Sequence, residues 1–502
     1  MRFIIFAEKQ LNPIKRLAGQ TAIYGVSTIM ARLMNYLMVP IHTRIFSPPD
    51  YGIVGEMYAY VSLLIVLLTY GMETAFFRYY EKNNSDREKV YNTTLLSLII
   101  TSTIFILAAI FLAKPIANSI RYPNNSEYVI WFALIIAFDA ICSIPFAKLR
   151  AINRPKVFAF VKIFNISIYV VLNLFFLLLC PYWVKNGILQ GFTSVIYNPS
   201  IGVGYIFIAN LVASGITLFL LWIIVPLSKL HFSKEIWKKM IKYALPLLIF
   251  GLAGIVNETI DRILLKYLSP SDIAMSQVGI YSACYKISIM MTIVIQAFKY
   301  AAEPFFFSQA KESNAKVLYA DVMKYFVILC SLIFLIIMLY IDVVKYFIGE
   351  KYFEGLTIVP ILLLANMFLG IFYNLSIWYK LTDKTHYGAY LSIFGAIITL
   401  ALNFLLIPFI GYLGSAWATF ACYLSMMIAS YFIGQKHYHV NYNIKRIFLY
   451  ISIPIALYYV STFVPAVSQW LHFIINSMFL LSFIILVLLI EKPKLSNLIN
   501  NS

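Results

Sequence analysis

Residues 46–60 read FSPPDYGIVGEMYAY and residues 268–285 read LSPSDIAMSQVGIYSACY. Both stretches carry Ser-Pro-x-Asp, starting at Ser47 and at Ser269. Each then has a glycine followed six residues later by a tyrosine, Gly52 to Tyr58 and Gly279 to Tyr285. The second copy holds an insertion of about five residues between the Asp and the Gly. The flanks keep register: Asn35 aligns with Asn257, and Arg44 with Lys266. A second echo links IGVGYIFIANLV, from Ile201, with GYLGSAWATFAC, from Gly411, pairing Gly204 with Gly414. Ser-Pro-x-Asp is also an ordinary turn and helix cap. The matched spacing on both sides favours an internal repeat, in which two related lobes keep the same helix orientation about an axis along the membrane normal.

That axis presupposes a membrane, and composition supplies one. The chain has 502 residues, 62% hydrophobic and only 12% charged. A soluble domain is about one quarter charged, so lipid must be the main solvent. The formal charge of +18 is read as basic cytoplasmic loops rather than a nucleic-acid surface, because no basic soluble domain exists to carry one.

A helix needs roughly 20 apolar residues to cross the hydrocarbon. On that measure about fourteen spans are expected, near 20–45, 51–70, 90–112, 128–147, 157–180, 201–226, 243–268, 277–298, 318–340, 357–379, 387–408, 412–434, 447–464 and 471–490. Alternate loops are basic, such as FRYYEKNNSDREK, AKLRAINRPK and SKLHFSKEIWKKMIK. The bias puts them, and both termini, on the cytoplasmic side of a bacterial inner membrane. The reading is an all-α polytopic protein: tail 1–19, lobe 20–226 (spans 1–6), basic linker 227–242, lobe 243–434 (spans 7–12), spans 13 and 14 over 435–490, and tail 491–502. The N-terminal apolar run is too short for a signal peptide. Cys142, Cys180, Cys284, Cys330 and Cys422 lack metal spacing, and neither a disulfide nor a metal is expected.

Function has to reside in the bundle, since no loop is long enough for a nucleotide-binding or catalytic domain. Span 7 shows where. GIVNETIDRILL, residues 254–265, sets Glu258, Asp261 and Arg262 amid apolar sequence. Glu258 and Arg262 are four apart and share a helix face. An unpaired charge in lipid costs several kcal/mol, so these groups either pair or face water. Span 1 carries Arg32 and Asn35 three apart, with Thr28 and Tyr36 nearby and Pro40 as a candidate kink. Span 5 carries Lys162, Asn165, Tyr169 and Asn173 at helical spacing, either interhelical glue or a cavity wall. Span 4 adds Asp139, span 2 Glu56, and span 8 Ser282 and Lys286, followed by Glu303-Pro304. Span 10 adds Asn366, Tyr373 and Asn374. Arg32, Asn35, Lys162, Asn165, Tyr169, Arg262 and Lys286 are taken as candidates for contact with cargo. Guanidinium forks and tyrosine faces suit an anionic, hydroxyl-rich molecule. Glu258, Asp261, Asp139 and Glu56 are candidates for ion coupling, with H⁺ or Na⁺ as the ion and no other cofactor.

The segments TRIFSPPDYGIVGEMYAY, YGMETAFFRYYEK, DRILLKYLSPSD, AFKYAAEPFFFSQAKE and IPFIGYLGSAWATFACYLS, in this order, resemble the polysaccharide-transporter (Wzx-like) branch of the multidrug, oligosaccharidyl-lipid and polysaccharide exporter superfamily. The resemblance implies a MATE-like fold of fourteen helices in two lobes plus two C-terminal helices. It also implies ion-coupled flipping of undecaprenyl-diphosphate-linked oligosaccharide, such as an O-antigen, capsule or exopolysaccharide repeat unit, to the outer leaflet. Membrane lipids and polysaccharide polymerase machinery are the implied partners. Two rivals share the fold: a lipid II flippase, and a drug or cation antiporter, against which the basic Arg32, Lys162 and Lys286 weigh. A polymerase or ligase needs catalytic residues in a large outer loop. The longest one here, PYWVKNGILQGFTSVIYNPS, has no acid, His or Arg, so no enzymatic activity is expected.

Overall fold

The computed structural model describes residues 25–30, 32–82, 86–227, 231–310, 312–464 and 468–499, without the side chains of 301, 303, 304, 308, 469 and 492–499. Glu303, Pro304 and the tail 1–19 therefore lie outside this description. The described residues contain helices, turns and no β-strand. Among them, thirteen helices are long and apolar enough to cross a membrane, and they coincide with the second to fourteenth spans expected. Of the first span, residues 25–30 and 32–37 are helical, Met38 is a turn, and α1 (Val39–Ile45) follows with Pro40 in its first turn. The expected bend is thus a break two residues ahead of the proline, which lacks the N–H that would continue the ladder.

The chain separates into two compact units, one of residues 1–267 with 271–279, the other of 268–270 with 280–502. The division by repeat, 20–226 against 243–434, is a different one: it places the seventh span in the second lobe, whereas compactness places it in the first unit.

In the first unit, α2 (Pro48–Thr69) starts at Ser47, where Ser47 and Asp50 form a capping box with Pro48 at the first helical position. Ser-Pro-x-Asp in this copy is therefore a true cap. α2 ends where Tyr70 and Gly71 both take positive φ, 35° and 72°. α3 (Met72–Lys82) then continues at an angle. α4 (Arg87–Phe111), α5 (Ala113–Ser119), α6 (Ser126–Ala151) and α7 (Pro155–Leu174) follow. α7 runs on through a wide π turn, residues 175–179, into α8 (Cys180–Asn186). Pro181 accounts for that turn, since its ring would crowd the carbonyl four residues back in a regular helix. The stretch PYWVKNGILQGFTSVIYNPS, expected as a loop, thus contains most of α8 and all of α9 (Gln190–Ile196). α10 (Gly204–Ile224) and α11 (Lys234–Leu268) complete the unit. α6 packs on α2, α4 and α10, and α10 packs on α7. An apolar cluster around Phe76, Tyr91, Phe146 and Met240 ties α3, α4, α6 and α11.

In the second unit, α12 (Ala274–Gln309), whose first turns belong to the first unit, is followed by α13 (Ala315–Leu339) and α14 (Ile341–Val344). Then come α15 (Val359–Leu375), α16 (Ile377–Leu381), α17 (His386–Ile410), α18 (Tyr412–His437), α19 (Ile444–Thr462) and α20 (Gln469–Ile499). α18 packs between α15 and α17, and α13 packs on α15, α19 and α20. The segment 491–499, read as tail, continues α20 as helix. All five cysteines are buried free thiols.

Candidate functional site

The first unit gathers a polar interior from α2, α6, α7, α10 and α11, and three constellations make it up. The first is an enclosed ion pair. Glu56, in the third turn of α2, is fully buried, and Lys266, near the end of α11, is nearly so. Lys266 Nζ donates to Glu56 Oε1 at 3.0 Å and Oε2 at 2.9 Å, and to the Ile120 carbonyl at 2.6 Å. The Tyr122 hydroxyl donates to Glu56 Oε2 at 2.5 Å, and its ring lies 3.7 Å from the ammonium. Every strong donor and acceptor is matched, as a charge pair out of water requires. Glu56 is thereby held by Lys266, which the sequence shows only as the repeat counterpart of Arg44.

The second constellation lies where α6, α7 and α10 meet. Ser214 Oγ donates to Asp139 Oδ1 at 2.8 Å. Asp139 is nonetheless open to solvent-sized space, and Lys162, half-buried, is close enough to feel its charge. Lys162 Nζ sits 4.2 Å above the Phe146 ring. One turn on, Asn165 Nδ2 donates to Thr217 Oγ1 at 2.8 Å. Next along the same stripe, buried Tyr169 hydrogen-bonds Tyr58, whose hydroxyl accepts from Asn210 Nδ2 at 3.0 Å. Asn173 Nδ2 donates to the Tyr169 carbonyl at 2.8 Å, and its Oδ1 lies 3.0 Å from His42 Nε2. The α7 stripe therefore points inward along its length, and each member meets a neighbouring element.

The third constellation is on α11. Asp261 is buried, Arg262 half-buried, and Glu258 exposed. The Arg262 guanidinium donates to Asp261 Oδ1 at 3.1 Å and to the Glu258 backbone carbonyl at 2.9 Å. Helical spacing suggested a contact between the Glu258 and Arg262 side chains; here the contact to residue 258 runs through the carbonyl, and the Glu258 carboxylate is left facing outward. Arg262 is also within electrostatic range of buried Tyr51.

The remaining candidates stand apart. Arg32 and Asn35 are exposed on the first helical segment, with Tyr36 half-buried beside them. Lys286 is half-buried in the second unit; elsewhere on α12 and α15 buried Asn366 Nδ2 donates to buried Ser288 Oγ at 3.3 Å, and exposed Lys299 lies 4.7 Å from the Tyr373 ring. Sequence reasoning missed a buried network in the second unit: Glu491 binds Lys324, the Arg446 guanidinium at 3.0 Å and the Tyr450 hydroxyl at 2.7 Å. A lysine well inside an apolar span, in YADVMKYF, was the available signal.

Among the described residues, no three His, Cys, Asp or Glu side chains stand together as a metal site. The first unit instead offers an amphoteric wall, in which carboxylates, the three cations Lys162, Arg262 and Lys266, tyrosines and asparagines share a helical interior.

The family profile described as "Polysaccharide biosynthesis protein" matches residues 17–310, more than half of the chain. No curated protein sequence matches. Among solved structures, the chain is similar to the lipid II flippase MurJ in an inward closed conformation, with TM-score 0.68, 13% identity, and coverage of 94% of this chain and 100% of that one. It is also similar to an inward-facing multidrug resistance MATE family transporter of the MOP superfamily, with TM-score 0.64, 15% identity, and coverage of 86% and 99%. The outward-facing form of a MATE family transporter gives TM-score 0.56 at 14% identity, covering 88% and 98%. At such identities these likenesses establish the fold, which is MATE- and MurJ-like.

Proposed function

Because this chain belongs to the polysaccharide biosynthesis protein family, a family of transporters and not enzymes, we propose that it flips a polyprenyl-diphosphate-linked oligosaccharide across the cytoplasmic membrane. The cargo would be a repeat unit of O-antigen, capsule or exopolysaccharide, moving from the inner to the outer leaflet by ion-coupled alternating access. Polysaccharide polymerase machinery on the far side would be its partner, and the basic loops and both termini would face the cytoplasm.

The barrier is desolvation. A buried hydroxyl without a hydrogen bond costs roughly 2–7 kcal/mol, so an oligosaccharide crossing lipid alone faces tens of kcal/mol. A wall such as that of the first unit lowers this by replacing water with amide, hydroxyl and charged donors, while the prenyl tail stays in the bilayer. Arg32, Arg262, Lys162 and Lys286 would neutralise the diphosphate, and Asn35, Asn165 and Tyr169 would meet sugar hydroxyls. Asp139, Glu258, Asp261 and Glu56 are the proposed ion-coupling groups. One charge moving through about 100 mV supplies about 2.3 kcal/mol per turn of the cycle.

The observation that carries this reading is the family match over residues 17–310, which contains every one of these side chains. The test is reconstitution into vesicles holding a fluorescent lipid-linked oligosaccharide, with an impermeant glycosidase reporting leaflet exposure. Flipping of that cargo supports the proposal. Flipping of lipid II alone, or uptake of a cationic dye alone, would assign the chain to one of its two rivals.

A further inference from the structure

At the end of the second unit where basic loops lie, two concavities meet. One is a polar hollow of about 470 Å³. It is walled by Lys316, Asp321 and Lys324 of α13, His439 and Asn441 of the following connection, and Arg446 of α19. The other is a groove of about 440 Å³ whose walls are entirely apolar, formed by Met323 of α13, Phe368 and Leu375 of α15, Phe432 of α18, Tyr442, and Phe448 of α19. Sequence neighbours line the two: Met323 of the groove precedes Lys324 of the hollow, Tyr442 lies between Asn441 and Asn443, and Ile447 follows Arg446.

Charge and size select the occupant. Three cations, Lys316, Lys324 and Arg446, stand against two carboxylates, Asp321 and Glu491. Lys324 is bound by both carboxylates and Arg446 by Glu491, which leaves exposed Lys316, poised 4.9 Å from the Tyr438 ring, as the excess positive charge. Glu491 is buried and its oxygens are occupied, so it fixes the two other cations in place and does not itself face a ligand. The groove opens outward between exposed Phe432 and Phe448. Its walls expose only apolar surface, which suits one acyl chain of a lipid. An undecaprenyl tail is several times longer.

We propose that this pair of concavities is a resident site for one anionic phospholipid, its phosphate in the Lys316–Arg446 hollow and one acyl chain in the groove. Basic pockets between membrane helices at the cytoplasmic surface recognise such headgroups. The bound lipid would splint α13, α15, α18 and α19, and it does not depend on what the transporter carries.

The full chain, purified in mild detergent, is incubated with phosphatidylglycerol or phosphatidylcholine, and retained lipid and melting temperature are measured. Retention of phosphatidylglycerol several-fold above phosphatidylcholine is expected, with a rise in melting temperature of several degrees. Lys316→Gln, an exposed side chain, and Ile428→Trp, which fills the groove from its outer lip, should each abolish the difference while leaving the lipid-free melting temperature unchanged. Equal retention of the two lipids would overturn the proposal. So would displacement of phosphatidylglycerol by undecaprenyl phosphate at equimolar concentration, which would make the groove part of the cargo path.

Discussion

Gly52 and Gly279 touch backbone to backbone. A Cβ placed on Gly279 would lie 1.8 Å from the Pro48 carbonyl oxygen, and one on Gly52 would lie 2.3 Å from that of Met275. These are the two glycines that the repeat sets in equivalent positions, so the repeated element supplies both sides of its own contact. The obstructing atoms are main-chain, and no rotamer change relieves them. Gly52→Ala and Gly279→Ala are therefore each expected to destabilise by about 1–3 kcal/mol or more through overpacking. Gly254→Ala, on α11 with open space around it, should be neutral or slightly stabilising. Melting of the purified variants distinguishes these outcomes, and equal midpoints for Gly52→Ala and Gly254→Ala would remove the packing role.

The Glu56–Lys266 pair makes a separate prediction. Removing one partner leaves the other charge buried and uncompensated, at a cost of about 3–5 kcal/mol. Glu56→Gln and Lys266→Met should each lower folded yield in the membrane. The double variant should recover most of the loss, because the pair vanishes together. A double variant as unstable as the sum of the singles would mean that the two side chains act on separate neighbours.

The thirteen spans and their order were legible because a stretch of apolar residues long enough to cross the membrane has few alternative fates in water. The cap at Ser47 was legible because turn chemistry admits few residue types. Partner choice was not. Glu56 binds Lys266, 210 positions away, and nothing in either local pattern names the other. Glu258 and Arg262 showed the opposite failure: their spacing named a partner, yet the guanidinium reaches the nearer Asp261 carboxylate and the Glu258 backbone carbonyl. The π turn before Pro181 and the helices within the outer loop escaped notice because short, mixed-polarity helices lack a strong period. A side chain facing a hollow and one serving as interhelical glue share one sequence pattern, so spacing alone does not separate the two roles.

The α7 stripe separates those two roles experimentally. Asn173 is bonded on the His42 side, so Asn173→Ala is expected to cost about 1–2 kcal/mol of stability with proportionate loss of surface glycan, whereas Asn165→Ala, which removes the bond to Thr217 and a proposed cargo contact, should lose more flipping than its loss of folded protein explains. Lys162 has an aromatic face and a nearby carboxylate but is half-buried. Lys162→Ala, like Arg32→Ala, should leave folded protein at wild-type level and reduce flipping at least tenfold. Quantifying membrane protein and lipid-linked oligosaccharide flipping in the same vesicles tests this; normal flipping by both variants would remove the cations from the cargo path.

Coupling should divide the carboxylates by their surroundings. Asp139 and Glu258 reach solvent-sized space, whereas Asp261 is buried beside its own guanidinium and Glu56 is locked on Lys266. A group that takes up an ion from one side and releases it on the other has to be accessible in at least one state, and the first two are the ones left exposed here. Asp139→Asn and Glu258→Gln are neutral mimics of the loaded carboxylate, so each should flatten the response of flipping to an imposed proton or Na⁺ gradient while preserving downhill exchange of cargo. Asp261→Asn should instead lower stability, because it strands Arg262 in a poorly hydrated place. Flux measured with and without the gradient gives the comparison: a gradient response in Asp139→Asn and Glu258→Gln equal to that of the unaltered chain would exclude both from coupling and transfer the role to Asp261 or Glu56.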